Sequence, residues 1–567
     1  MKILNFKEEK VENSIYELMK KCTVNNKLDE NKFDDLINPR EDGKIKINSA
    51  FMDQFFGISE EDKIAQVPKI LDVLLKIYND EISLDNVEKE LKSIEFKTLN
   101  IIDELRSKLT NDNYNIKTYN IFKKLMYITT DKEIFKFSLE MTAIIERCEE
   151  LIDDYILIGQ SEEFSKYISF ILLIWSEKPK FLNALFDLLD KSSDWGAINY
   201  GEMLMNDEDI MRNIKNQRRI LIGTLTNNCI KMEIGYELAS TLNIEELSKI
   251  SHSDKELSTA FVDLYSTLFF ERQPCGGLLD LENSIDYIKW YLNCVKFSKF
   301  KDIKFVGMNN ILEFLNDDDN KEEFIDLYDE ETYNLIKNEV NFLWNNINTV
   351  DNIKEIINEG EDYIYFIVDF VRKNNIVEVV PMLEKLYIEK PTYENSYLEE
   401  FLSQMGSDSI KMNIYENLKK EYKERMKIDK KYSYLNLFGE EYKIRHKIEN
   451  KIDVLAWLGA KDYELIEKML DDYDPMVRSK ALKVIKKSNY YIDNSVIRDK
   501  IKKRLSDSPL YVRMEALEIC EKINLEITKE EIDKIIEDIK EIEGDITHQM
   551  DKEFFEKLIR VSKRQNV

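Results

Sequence analysis

A repeated motif near the carboxyl end constrains the fold of this chain more than any other feature. The stretch LDDYDPMVRSKALKVIKK occupies positions 470–487, and LSDSPLYVRMEALEICEK occupies positions 505–522. Nine of the 22 positions in 466–487 are identical to those in 501–522, where about one or two would match by chance at ordinary residue frequencies. A period of 35 residues, with a helix on each side of a short turn, predicts stacked helical hairpins.

Each matched position has a physical role in such a hairpin. Leu470 and Leu505 end the first helix on its apolar side, and a turn that contains aspartate follows. Pro475 and Pro509 suit the entrance of the second helix, because the amide hydrogens of a first helical turn have no partner inside the helix. The buried stripe of the second helix is predicted to consist of Val477, Ala481, Leu482 and Ile485.

A turn with Asp and Pro, followed by V-R-x-x-A-L, resembles the turn and second helix of the HEAT-repeat family. In that family an Asp and an Arg near the turn form a polar ladder between stacked units. The resemblance therefore implies an Arg–Asp ladder here, in which Arg478 and Arg513 pair with Asp472 or Asp507 across adjacent units. It covers about residues 437–523 and includes a fainter upstream copy, at an offset of 33, formed by Leu437, Ile444, Arg445, Ile448 and Ile452.

The composition extends the helical prediction to the whole chain. Only 15 glycines and 8 prolines occur in 567 residues, and sheets need the turns that these residues make. Apolar residues recur at spacings of three and four in 67–78, 180–191 and 379–390. We therefore expect an all-α solenoid of stacked helical hairpins, of the HEAT or armadillo kind, with degenerate repeats in the N-terminal two thirds.

The sequence gives weaker signals for the boundaries between regions of the chain. We expect an irregular helical region in 1–115, degenerate helical repeats in 116–430, and HEAT-like repeats with C-terminal capping helices in 431–567. The stretch at 38–48 suits a loop or a short hairpin. Hydroxyl and carboxylate residues at capping-box spacing predict helix starts at Thr130–Glu133, Ser253–Glu256 and Thr528–Glu531.

Charge limits the classes of partner. The net charge of −28 repels phosphate backbones and anionic lipids, so neither nucleic acid nor a membrane is the expected partner. Residues 477–523 depart from this trend, because they contain 12 basic and 6 acidic residues. Such a basic segment is typical either of a charged patch that orients a binding partner or of a helix face whose charges contact only solvent.

Cysteine usage and hydropathy indicate a cytoplasmic protein. The six cysteines include no C-x-x-C pair and are few for this length, which suits a reducing compartment. The most apolar run, YISFILLIW at 167–175, is far shorter than the 20 or so residues of a membrane-spanning helix. We expect it to be a buried helix segment.

Signatures of catalysis are scarce. Three histidines stand apart at positions 252, 446 and 548, and the chain contains no phosphate-binding glycine motif and no G-x-S-x-G. The acidic run 316–330 lacks the glycine of a calcium-binding loop and is better explained as a turn between helices. Cys275 fits a turn residue better than a nucleophile. We expect no catalytic residue, cofactor or metal.

These observations favour a non-enzymatic scaffold or regulatory subunit that binds a partner protein on the surface of its repeats. In the second helices of the two repeats, the residues outside the buried stripes carry charges of both signs. We predict that they form the partner-binding surface: Lys480, Lys483, Lys487, Glu515, Glu518 and Lys522. Two alternatives stay open. One is a nucleic-acid-binding protein similar to the HEAT-like DNA glycosylases, supported only by the basic segment. The other is a toxin-neutralising or defence-system component, which an acidic surface would suit.

Overall fold

A computed structural model describes most of the chain. The described residues are 13–38, 60–110, 114–226, 228, 230–270, 276–359, 364–389, 396–427, 447–459, 462–488, 490–543 and 549–564. They form two compact units, the first ending at Ile347 and the second beginning at Asn348. Helices account for most of the described residues, which confirms the predicted all-α class. The division into three regions proposed from the sequence stays a prediction.

The described part of the first unit contains twenty α-helices. They are α1 (Ile15–Lys21), α2 (Glu30–Ile37), α3 (Glu60–Tyr78), α4 (Leu84–Ile94), α5 (Thr98–Lys108), α6 (Ile116–Ile128), α7 (Lys132–Thr142), α8 (Ile152–Ile158), α9 (Glu162–Ile174), α10 (Pro179–Leu189), α11 (Asp194–Met205), α12 (Glu208–Met211), α13 (Ile214–Leu225), α14 (Gly235–Thr241), α15 (Ile244–Ser251), α16 (Lys255–Phe270), α17 (Ser284–Phe297), α18 (Lys301–Asn316), α19 (Asp318–Leu327) and α20 (Glu330–Ile347).

The described part of the second unit contains twelve α-helices. They are α21 (Val350–Glu359), α22 (Ile364–Lys373), α23 (Val380–Glu389), α24 (Ser396–Met405), α25 (Asp408–Arg425), α26 (Val454–Leu458), α27 (Tyr463–Leu470), α28 (Pro475–Lys487), α29 (Ser495–Lys503), α30 (Leu510–Lys522), α31 (Lys529–Glu543) and α32 (Gln549–Arg564).

One small hairpin interrupts the helices of the first unit. Strands β1 (Thr23–Val24) and β2 (Lys27–Leu28) pair antiparallel. Asn25 and Asn26 both have positive φ, which the tight two-residue turn of such a hairpin requires and which Asn tolerates better than most residues. The sequence did not predict this hairpin, and the stretch 38–48 where one was considered lies almost entirely outside the described residues.

Many helices in the first unit pack against the next helix but one, whereas α13 packs against α16. The helices α7, α9, α11 and α13 form a series in which each packs against the following member, and the series continues through α16, α18 and α20. Close approach within it depends on glycine. A Cβ atom on Gly201 in α11 would lie 2.5 Å from Oγ1 of Thr224 in α13, which is far inside van der Waals contact.

The second unit has the same kind of packing. In the series α22, α24, α26, α28, α30 and α32, each helix packs against the following member. The helices α27 and α29 pack against each other as well. Alternate helices therefore meet side by side, while consecutive helices such as α27 and α28 form hairpins.

The repeated motif folds as its sequence predicts. Pro475 is the first residue of α28, and the Asp474 side chain caps this helix by accepting a hydrogen bond from the Met476 amide at 2.9 Å. Pro509 immediately precedes α30. The predicted buried stripe is confirmed, since all four of its residues are completely buried: Val477, Ala481, Leu482 and Ile485. In the upstream copy, Ile448 and Ile452 are buried as well, whereas 437, 444 and 445 lie outside the described residues.

Of the three predicted capping boxes, the one at Thr528 and Glu531 is confirmed by reciprocal hydrogen bonds of 2.7 and 3.2 Å. The other two are wrong by one residue. Asp131 caps α7 in place of Thr130, and Asp254 precedes α16 in place of Ser253. The reason is that the carboxylate of each aspartate itself accepts a hydrogen bond from a backbone amide of the first helical turn.

The glutamates of the two incorrectly predicted boxes, Glu133 and Glu256, contact residues of other helices. Glu133 accepts the amide of Thr98, and Glu256 pairs with Arg218. Both partners lie on other helices, so the carboxylates that would close the boxes link neighbouring helices instead.

The apolar run at 167–175 forms most of α9, and Tyr167, Ile168, Ile171 and Leu172 are buried, as predicted. Among the helices of the described ranges, none has the length and apolar character that crossing a bilayer demands.

Glu30 ties the start of α2 to the start of α9. Its Oε1 accepts hydrogen bonds from the Ser161 hydroxyl at 3.0 Å and from the Glu162 amide at 3.1 Å. Its Oε2 is buried and has no hydrogen-bond partner among the described residues. Burial, and then the nearby charge of Glu162, raise the pKa of Glu30 from 4.5 to about 8.

We predict that the first unit loses stability as the pH rises from about 4.5 towards about 8. The protonated carboxyl is favoured in the folded state, so this stabilisation is complete below the unfolded pKa and is lost as the pH passes the folded pKa. Glu30→Gln keeps an acceptor oxygen without the charge, and it should abolish this part of the pH dependence and raise the melting temperature at pH 9. Melting curves followed by circular dichroism test this, with exposed Glu322→Gln as the control. An identical pH profile for Glu30→Gln and the wild type would contradict it.

Candidate functional site

Arg478 connects two consecutive hairpins of the second unit. From the fourth position of α28, its Nε and Nη2 both donate to the carboxylate of Asp507, with Nε 2.8 Å from Oδ2. Its Nη1 donates to the backbone carbonyls of Asp472 at 2.7 Å and Tyr473 at 2.9 Å. The Asp507 side chain is only 2% exposed. The guanidinium therefore closes its own turn and holds the turn of the following hairpin.

Arg513 has the equivalent position in α30 and makes the equivalent turn contacts. Its Nη1 donates to the carbonyls of Asp507 at 3.0 Å and Ser508 at 2.8 Å. The guanidinium carbon lies 5.6 Å from the ring centre of Phe554 in α32. The matched arginines thus make matched backbone contacts in two consecutive hairpins, and Arg513 is 1% exposed.

Asp472 is bound by a residue that sequence reasoning missed. Arg425, the last residue of α25, is completely buried, and its Nη2 lies 3.0 Å from Oδ1 of Asp472 and 3.4 Å from Oδ2 of Asp474. Its guanidinium also stacks over the ring of Tyr473 at 4.6 Å. Because Arg425 is at the end of a helix and not at the fourth position of one, it lies outside the repeated motif.

The structure therefore brings Arg478 together with Asp507 and places Arg425 on Asp472. The carboxylates of Asp472 and Asp507 are thus each bound by an arginine of an earlier helix, α25 for Asp472 and α28 for Asp507. The predicted pairing is therefore found for Arg478, whereas Arg513 contacts Asp507 through the backbone carbonyl of that residue. From here on, the name Arg–Asp ladder covers the four predicted residues and Arg425: Asp472, Arg478, Asp507, Arg513 and Arg425.

The predicted partner-binding residues form a mixed-charge surface on α28 and α30. Lys483 lies 3.8 Å from Glu515, and the neighbouring Lys486 pairs with both Glu515 and Glu518. These pairs join adjacent helices of one series. The Lys483 side chain is still 47% exposed, whereas that of Glu515 is 18% exposed.

The remaining residues of this surface also have partners. Lys480 lies 3.7 Å from Glu400 in α24, and Lys487 lies 3.0 Å from Asp453 at the start of α26. Lys522 donates to the backbone carbonyl of Lys486. The surface is thus internally paired, although the Lys487 side chain is 52% exposed.

A second row of ion pairs joins the other helices of the same hairpins. Lys500 lies 3.2 Å from Glu467, Arg504 lies 3.3 Å from Asp471, and Lys502 of α29 lies 2.9 Å from Glu531 of α31. Of the 12 basic side chains in residues 477–523, 11 form an ion pair or donate a hydrogen bond to another described residue. Within the described part of the chain, only Lys503 does neither. The positive charge of the basic segment is therefore largely neutralised by flanking acids.

A groove of about 240 Å³ lies between α29 and α31. Its apolar lining consists of Leu505, Ile527 and Ile535, which are at most 7% exposed. Its polar lining includes Lys503, Lys534 and Asp538. The sequence did not predict this groove.

Groups suited to metal or thiol chemistry are buried or dispersed. Within the described ranges, no cluster of three His, Cys, Asp or Glu residues has the geometry to hold a metal ion. The cysteines at positions 22, 148, 294 and 520 form no disulfide and are buried. Burial raises the pKa of Cys294 to about 11 and that of Cys520 to about 12, so both thiols stay protonated at neutral pH. Cys275, His446 and His548 lie outside the described residues.

No protein-family model matches the chain, and no curated protein is significantly similar to it.

We predict that Arg513→Ala weakens the last repeats. The carbonyls of Asp507 and Ser508 would lose a buried donor, which costs about 1–3 kcal/mol of local stability. Native-state hydrogen exchange, measured by mass spectrometry on peptides from 505–522, should show faster exchange. Exposed Lys522→Ala in the same helix is the control. Equal exchange in the two variants would contradict a structural role for Arg513.

Proposed function

We propose that this chain is a HEAT-like helical-repeat solenoid that acts as a non-enzymatic, cytoplasmic scaffold for a partner protein. The observation that carries the proposal is the agreement between the repeat in sequence and the repeat in contacts. Arg478 and Arg513 are 35 residues apart, and each binds the carbonyls five and six residues before it. Stacked repeats of this kind provide extended surfaces that bind proteins or peptides.

The surface charge supports a protein partner over a nucleic acid. A phosphate track needs cations that are available to replace counterions. Here Lys483, Lys486 and Lys487 already lie within 4 Å of carboxylates. A surface of alternating, partly satisfied charges instead suits a partner with a complementary pattern, for which charge sets specificity and association rate.

We therefore expect Lys483→Glu to weaken binding of the native partner without loss of helicity. Lys483 is well exposed and its ion pair with Glu515 is long, so reversal should disturb the partner more than the fold. The matched control is Lys468→Glu on α27, since Lys468 is also exposed and paired with a single glutamate, Glu464. The partner is captured on the tagged full chain, identified by mass spectrometry, and its affinity for each variant is measured.

The expected result is a specific protein partner whose affinity falls by roughly tenfold with Lys483→Glu and is unchanged with Lys468→Glu. Tight binding to random duplex DNA that falls steeply with salt and is lost with Lys483→Glu would overturn the proposal and favour the nucleic-acid alternative. A toxin as the captured protein would assign the scaffold to a defence role.

A further inference from the structure

Helix α20 presents a stripe of large apolar side chains to solvent. Leu335 is 65% exposed and Phe342 is 70% exposed, and no other large apolar residue that the structure describes is as exposed as Phe342. The two residues are seven positions apart, so they lie on one face of the helix. Another face of α20 holds Tyr333, Ile336 and Val340, which are buried and attach the helix to its unit. The fold therefore leaves the face with Leu335 and Phe342 uncovered.

Phe297 extends this apolar surface from a neighbouring helix. It is the last residue of α17 and is 56% exposed. The Nζ of Lys296 lies 5.7 Å from the ring centre of Phe297 and 3.4 Å from Oε1 of Glu339, a residue between Leu335 and Phe342 on the same face of α20. We call Phe297, Leu335 and Phe342 the α20 apolar patch. Single exposed apolar residues are ordinary, but a group of them on adjacent helices indicates an interaction surface.

The acidic run at 316–330 leads into this patch. We expected a turn between helices there, but most of the run forms α19, because the Asp317 side chain caps that helix by accepting a hydrogen bond from the Asn320 amide at 3.0 Å. Helices α19 and α20 are consecutive and pack against each other. The acids of α19 and of the first turn of α20 are thus on the hairpin that carries Leu335 and Phe342.

The negative charge of this hairpin is largely not neutralised by the fold. Residues 317–347 contain ten acidic and two basic residues. Both lysines, Lys321 and Lys337, lie near the ring of the buried Tyr333, at 6.0 and 5.3 Å from its centre. Among the described residues, no cation lies within ion-pair distance of five of the exposed acids: Glu322, Glu323, Asp326, Glu330 and Glu331. This contrasts with the basic segment at 477–523, whose charges are mostly paired.

We propose that the α20 apolar patch binds a basic amphipathic helix of a partner protein, with large apolar side chains on one face and lysines or arginines beside them. The apolar face would cover Phe297, Leu335 and Phe342, which removes exposed apolar surface from water. The flanking cations would meet the acids of α19 and α20, which supplies charge complementarity. An amphipathic helix that lays its apolar face on an exposed apolar surface is a recurring mode of recognition.

Charge favours this partner over other apolar surfaces. A second copy of the chain would place its own acidic hairpin against this one in a symmetric dimer, so like charges would oppose association. An anionic membrane would be repelled for the same reason. The inference rests on the proposed scaffold function and adds a second binding surface to it, because the patch belongs to the first unit and the mixed-charge surface to the second.

The test uses the full chain and three fluorescent helical peptides. The first has leucines at helical spacing and lysines on its other face, the second has glutamine in place of lysine, and the third has alanine in place of leucine. Fluorescence anisotropy measures their affinity for the wild type, Phe342→Ser, Leu335→Ser and Ile388→Ser. Ile388 in α23 is the matched control, because it is also 65% exposed and lies outside the hairpin.

We expect the lysine–leucine peptide to bind the wild type at least roughly tenfold more tightly than either of the other peptides, because both charge and apolar contact are needed. Its affinity should fall roughly tenfold with Phe342→Ser, fall less with Leu335→Ser and stay unchanged with Ile388→Ser. Circular dichroism checks that each variant keeps its helicity.

Three results would overturn the proposal. The first is no binding of the lysine–leucine peptide. The second is equal binding of the lysine–alanine peptide, which would reduce the effect to general attraction between a basic peptide and an acidic protein. The third is equal affinity of Phe342→Ser, Leu335→Ser and Ile388→Ser. Sedimentation of the unliganded chain adds a further outcome, because a dimer that Phe342→Ser disrupts would make a second copy the occupant.

Failure of this assignment is distinguishable from failure of the scaffold function. If the peptide does not bind and the captured native partner binds Phe342→Ser as tightly as the wild type while Lys483→Glu weakens it, the patch is wrong and the scaffold stands. If the wild type captures no protein partner, the scaffold itself fails. Release of a captured partner by an excess of the lysine–leucine peptide, but not of the lysine–alanine peptide, supports both proposals.

Discussion

The buried ion pair between Arg478 and Asp507 fixes how the hairpins of the second unit stack. A buried charge is costly unless it is paired and fully hydrogen-bonded, so this contact tolerates little change in register. Arg478 meets the requirement with a carboxylate from the following hairpin and two carbonyls from its own turn. Arg425 binds the carboxylate of the preceding turn, that of Asp472, through its Nη2 alone. The apolar stripes of α28 and α30 supply most of the stabilisation, and the ladder selects one alignment of those stripes.

The rows of surface ion pairs have a different consequence. They join neighbouring helices of the same part of the chain, but most of them are at least partly exposed, and such pairs contribute little to stability individually. Their main effect is on the character of the surface, because they neutralise a segment that looks strongly basic in the sequence.

Local patterns predicted the helices and the buried stripes, because helical periodicity needs only neighbouring residues. The caps were harder, and Asp131 and Asp254 took positions assigned to adjacent hydroxyl residues. Contacts between residues that are far apart in the sequence could not be predicted from local patterns. Arg425 binds Asp472 from outside the repeated motif, and Tyr16 donates to Asp154 across 138 residues of sequence. The groove depends on the gap between α29 and α31, which no spacing within either helix specifies.

A double-mutant cycle on Arg478 and Asp507 tests the central claim most directly. The free energy of opening of the turn and of α30 is measured by native-state hydrogen exchange for Arg478→Ala, Asp507→Ala, the double variant and the wild type. If the pair sets the stacking, the two substitutions should be strongly non-additive, with a coupling free energy of about 2 kcal/mol or more. A coupling within about 0.5 kcal/mol of zero would contradict the account, because the two side chains would then act independently.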